Sequence, residues 1–93
     1  NVLFILCRLC GLSVHAEYRT SSGRIDILIE TASYRYVFEF KIDQSAQAAM
    51  AQIRSKEYAL PFATDDKKTT LIGINLSTKT RTIDDYCIES VDT

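Results

Sequence analysis

Ninety-three residues, 46% apolar and 25% charged, suit one modest domain with a single core. A net charge of −1 gives no global basic field, so composition alone does not point to a polynucleotide partner, although local basic clusters stay open. The apolar opening "NVLFILCRLCGL" is too short for a membrane span and is interrupted by Arg8.

The chain begins inside that apolar run with neither Met nor a basic leader, and reads as an excised domain, the C-terminal part of a longer protein. Apolar positions at 2, 3, 5, 6, 9, 10 and 12 predict a helix over 1–12 with Gly11 as its C-cap. An apolar helix of this kind is expected to be a point of association, through a homodimer or a preceding domain. Cys7-x-x-Cys10 is half of a zinc pattern, but no second pair follows and His15 is the single histidine, so both read as small apolar helix residues. With Cys87 the cysteine count is odd, which without a secretory signal fits a reducing cytoplasm.

Residues 13–20 alternate and predict a first strand, and Ser21-Ser22-Gly23 a turn. Residues 24–31 and 34–42 follow as a hairpin. Asp43-Gln44-Ser45 offers N-cap chemistry to a helix over 46–60, closed by Pro61. A polar loop (64–68), a strand (69–77), a turn at Thr78-Lys79-Thr80 and a last strand (81–90) complete the chain. The order α-β-β-β-α-β-β implies an α/β fold, one mixed sheet with helices packed against it.

The hairpin carries charge inside apolar strands. Alternation puts Arg24, Asp26, Leu28 and Glu30 on one face of its first strand, and Val37, Glu39 and Lys41 on one face of its second. A turn centred on Ala32-Ser33 would pair Leu28 with Val37, Asp26 with Glu39, and Arg24 with Lys41. The opposite faces, Ile25, Ile27 and Ile29 with Tyr36, Phe38, Phe40 and Ile42, then coincide as the expected core. Two facing carboxylates repel. Lys41 or Arg24 would offset this as an ion pair; a divalent cation would do so better, since carboxylate oxygens suit Mg²⁺ or Mn²⁺.

Gly23-Arg24-Ile25-Asp26 followed by Phe38-Glu39-Phe40-Lys41 resembles the signature of the PD-(D/E)XK nuclease superfamily, with Ile25 where the usual proline stands. "RTSSGRIDILIET", "YVFEFKIDQSAQAAMAQIRSKEYALPF" and "LIGINLSTKTRTIDDY" resemble more closely the bacterial branch that follows an AAA-type ATPase-like domain. The resemblance implies a restriction-endonuclease-like αβββαβ core, a mixed central sheet flanked by helices. It implies that Asp26 and Glu39 hold Mg²⁺ or Mn²⁺ with help from the Phe40 carbonyl. Lys41 would orient the attacking water and stabilise phosphate charge; Gln52 would support the site, and Tyr58 follows it in the pattern. DNA is the implied partner. Glu17 is either an extra acidic ligand or an exposed strand carboxylate. Lys67, Lys68, Lys79 and Arg81 read as solvated loop residues or backbone contacts, and Arg54 and Lys56 as the wet face of the helix. The other function classes open to this sequence are a non-catalytic nucleic-acid-binding or regulatory module, and a structural domain for self-association.

Overall fold

A computed structural model describes residues 2–59, 62 and 65–91. Helix α1 (Val2–Leu9) leads into β1 (Ser13–Thr20), β2 (Gly23–Glu30) and β3 (Tyr34–Ile42); α2 (Ala46–Ser55) then crosses to β4 (Lys68–Ser77), and β5 (Thr82–Val91) closes the chain. The strands form one five-stranded sheet in chain order, with β3 and β4 parallel and the other neighbours antiparallel. No helix is long and apolar enough to cross a membrane, among the described residues.

Helix termini follow local chemistry. Gly11 takes φ +79, its N–H bonds to the Arg8 carbonyl, and that of Leu12 to Cys7, a Schellman end. Ser45 caps α2 by accepting the Ala48 N–H at 3.0 Å. α2 stops at Ser55, five residues short of the expected end. Glu57 adopts φ 52 and donates to Arg54, while Tyr58 donates to Ile53, so the same Schellman device ends α2 without a glycine. Tyr58 and Ile53 thereby enter one core cluster with Ile25, Leu28, Val37, Met50 and Leu71. Pro61 lies outside the described residues.

The core lies on the opposite side of the sheet from the one expected. α2 covers the face that carries Arg35, Val37 and Glu39, all buried. Tyr36, Phe38 and Phe40 are only half-buried on the other face, and Ile42 is exposed. Phe38 and Phe40 stack there on each other at 6.3 Å, continued across the register by Ile72 and Ile74. Both faces are apolar enough to form a core. Position beneath the β3–α2–β4 crossover selects one. α1 packs mainly on β1 and leaves Val2, Ile5, Leu6 and Leu9 exposed.

The β2–β3 ladder also stops early. It runs from Glu30–Arg35 to Ile27–Phe38, so the expected Asp26–Glu39 and Arg24–Lys41 ladder pairs do not form. On the other side of β2 the register passes over Glu17 and Asp26, where Glu17 takes φ 54. This break lets Ile25 and Leu28, three positions apart, join the same core cluster.

Gly73, beside Glu39 in the parallel register, sets how closely α2 approaches. A Cβ there would lie 2.8 Å from the Ala46 carbonyl oxygen and 3.0 Å from the Met50 nitrogen. Gly73→Ala is therefore expected to push α2 outward at a cost of about 1–3 kcal/mol. Thermal unfolding would show a fall of roughly 4–8 °C per kcal/mol; an unchanged midpoint would refute the tight contact.

At the far end of the sheet, Arg35 is 2% exposed and stacks over Phe62 at 4.1 Å. It bonds Glu30 at 3.0 Å and the Asp65 carboxylate, and Lys67 reaches Glu30 at 3.3 Å. These partners raise the affinity of Arg35 for its proton against the opposing effect of burial, and Arg35 holds Asp65 below the usual carboxylate range. Lys67, read from sequence as a solvated loop residue, belongs to this network.

Candidate active site

The break in β2 makes the site. Because the ladder ends at Ile27–Phe38, the Phe40 N–H finds no β2 carbonyl, and the Asp26 Oδ2 accepts it at 2.8 Å. That bond turns Asp26 toward β3. Its carboxylate stands beside that of Glu39, and both line one cleft.

Glu39 is 4% exposed. One oxygen, Oε1, accepts the Gln52 Nε2 of α2, and the other, Oε2, has no hydrogen-bond partner. Burial raises the Glu39 pKa, the neighbouring Asp26 carboxylate adds to the rise, and the value reaches about 7 despite Lys41 and Arg24. Gln52 Oε1 in turn accepts the Lys41 ammonium. Lysine only donates, so Lys41 fixes which end of the Gln52 amide faces Glu39. Lys41, Gln52 and Glu39 thus form one directed chain across β3 and α2.

The remaining sequence candidates sit around this pair. Tyr58 is 2% exposed, and its Oη accepts the Arg24 N–H at 3.3 Å. Gly23 lies so close to Tyr58 that a Cβ would be 2.9 Å from Oη, so a larger residue there would have to displace the tyrosine ring. The Arg24 guanidinium is exposed and pairs with Glu17 at 3.3 Å. Glu17 is directed to Arg24 and is not part of the cleft wall. Phe40 meets Asp26 through its N–H.

Asp26, Glu39, Gln52 and Tyr58 border a cleft of about 690 Å³, which the residues of the β1–β2 turn also line. Two cations there, Arg19 and Lys56, were not singled out as site residues by the sequence. The only sequence signal was the closeness of Arg19 and Arg24 to the Ser21-Ser22-Gly23 turn; nothing local brings Lys56 to it.

A divalent cation suits these donors. Two carboxylates crowd together, and one buried oxygen has no proton donor. Mg²⁺ is commonly held by one or two carboxylates with waters and substrate phosphate completing its shell. No cluster of three or more His, Cys, Asp or Glu side chains is disposed around a metal position, among the described residues.

A sequence model of the PD-(D/E)XK nuclease superfamily matches residues 1–86. The chain is also 32% identical over 83 residues to a protein of Azotobacter chroococcum mcd 1 described as "Uncharacterized protein in vnfD 5'region". That similarity covers 87% of this chain and 16% of the relative, so the chain spans a small part of the relative's length. No solved structure gives a significant match.

Proposed function

Because the chain belongs to the PD-(D/E)XK nuclease superfamily, we propose that it is a metal-dependent nuclease hydrolysing phosphodiester bonds in DNA. The observation that supports this most is the Asp26–Glu39 pair with its unpartnered Glu39 Oε2, joined through Gln52 to an ammonium. Asp26 and Glu39 would hold Mg²⁺ or Mn²⁺, with the Phe40 carbonyl as a further donor. The cation would neutralise phosphate charge and increase the acidity of water at the site.

The protein's own groups do the rest. The Phe40 N–H fixes the rotamer of Asp26. Gln52 orients Glu39 and holds Lys41 beside the pair. Lys41 carries a fixed positive charge that favours the more negative transition state over the ground state. The apolar layer beneath Glu39 lowers the local dielectric and strengthens each of these interactions. Residues 1–93 would then be one nuclease domain of a longer protein, and the likeness to the bacterial branch would place an AAA-type ATPase-like domain before it.

Mg²⁺ or Mn²⁺ is expected to raise the melting temperature of the wild type, by about 2.7 kcal/mol of stability at a hundredfold excess over Kd. Asp26→Asn should lose most of that gain, and only the wild type should cut plasmid or single-stranded DNA. Equal metal-induced shifts in both proteins would place the metal elsewhere. A stabilising metal without cleavage of either substrate would favour the non-catalytic binding module.

A further inference from the structure

The part of the cleft built from the β1–β2 turn and the end of α2 is tied together by hydrogen bonds and carries positive charge. Ser22 Oγ donates to the Lys56 carbonyl, tying the β1–β2 turn to the end of α2. The Arg24 N–H bonds Tyr58 two residues further along. Inside the turn, Thr20 Oγ1 accepts the Ser22 N–H at 3.3 Å and donates to the Gly23 carbonyl at 3.2 Å. The Lys56 stem runs over Gly23, its Cδ 3.6 Å from where a Cβ would stand. Two distant chain segments therefore place Arg19, Arg24 and Lys56 at one cleft.

The charges of this wall are differently committed. Arg24 is paired with Glu17, as Arg54 is with Glu89, Arg35 with Glu30 and Asp65, and Lys67 with Glu30. Arg19 and Lys56 have no carboxylate in ion-pair range among the described residues. They are exposed and line the same cleft as Asp26 and Glu39. Cations with no ion-pair partner among the described residues are available to an anion that enters the cleft.

We infer that Arg19 and Lys56 form a phosphate clamp, receiving the sugar–phosphate backbone on either side of the phosphate presented to Asp26 and Glu39. The inference rests on the nuclease reading for what lies at the carboxylates, but its own claim concerns polynucleotide binding. Each clamp cation displaces a counterion from the polyanion. Affinity should therefore depend on salt through these two side chains, without base preference.

The test is fluorescence anisotropy of labelled single-stranded and duplex DNA of several unrelated sequences, in EDTA, between 50 and 200 mM salt. Arg19→Gln and Lys56→Gln are each expected to weaken binding several-fold for all sequences and to lower the log–log salt slope by about 1. Lys56→Arg should restore both, and Lys79→Gln, on the β4–β5 turn, should change neither. A slope unaltered in Arg19→Gln and Lys56→Gln overturns the clamp, as does a wild type that binds neither DNA form. A wild type that binds with the expected slopes but never cleaves with Mg²⁺ or Mn²⁺ supports the clamp while refuting the nuclease reading.

Discussion

Replacing Lys41 with alanine is expected to lower the rate of DNA cleavage on the order of 10²-fold or more, with the fold and metal binding largely kept. Lys41 is half-buried and has no carboxylate in ion-pair range among the described residues; its ammonium is held by Gln52 instead. Removing it therefore breaks one charged hydrogen bond, a stability loss of about 1.5–3 kcal/mol. A preorganised positive charge aimed at developing phosphate charge is worth more in the transition state than in the resting protein. Single-turnover cleavage beside thermal melts separates the two roles. Activity that falls only as far as the folded fraction falls would make Lys41 a structural counter-charge. Gln52→Leu tests the link, because it leaves the ammonium in place without its orienting acceptor; its loss should lie in the rate more than in metal affinity.

Metal-free protein is expected to lose stability as pH rises from about 5 to 8, opposite to the usual behaviour of a paired carboxylate. The Glu39 pKa is raised from 4.5 to about 7 in the fold, by burial first and by Asp26 second. The folded state thus binds the Glu39 proton more tightly than the unfolded state does. The resulting stabilisation is full below about pH 4.5 and disappears as pH rises through about 7. The difference corresponds to roughly 3 kcal/mol. Asp43, Asp65 and Glu89 are shifted the other way, by Thr78, Arg35 and Arg54 respectively, so their contributions fade only as the solution turns acidic. Melting curves at pH 5 and pH 8, with and without Mg²⁺, resolve the windows. Wild type should drop between them in EDTA and recover at pH 8 with Mg²⁺. Glu39→Gln, with nothing to ionise there, should show no such drop and no recovery. A drop of the same size in Glu39→Gln would assign it to another group.

The carboxylate pair and the pH behaviour share a cause in the placement of Glu39 beneath α2. Alternation along the strand puts Val37, Glu39 and Lys41 on one face whatever the rest of the molecule does. Whether that face meets water or the core depends on the crossover helix. An exposed Glu39 would keep an ordinary affinity for its proton. The same residue buried against Gln52 of α2, with Gly73 beside it admitting the helix, acquires its shift and its demand for a cation.

Short-range rules made much of this protein legible in its sequence. Gly11 at the end of α1, Ser45 at the start of α2 and the Ser21-Ser22-Gly23 turn depend on contacts within a few residues. So do the common face of Glu39 and Lys41 and the helical position of Gln52. Tertiary structure alone decided which face of the sheet became the core, since Ile25, Leu28, Val37 and Leu71 are matched on the other face by Phe38, Phe40, Ile72 and Ile74. It also decided that β2 breaks at Asp26, because the cost of the lost ladder is offset by the Asp26 bond to Phe40 and by burial of Ile25 with Leu28. It ended α2 at Ser55 by turning the chain at Glu57, a residue with no local preference for φ 52, so that Tyr58 could fill the space over Gly23. It carried Arg35 beneath Phe62 and brought Lys56 to the turn at Ser22, 34 positions away. Such contacts join segments whose local sequences are silent about one another. Their energy appears only when the chain has closed around a single core.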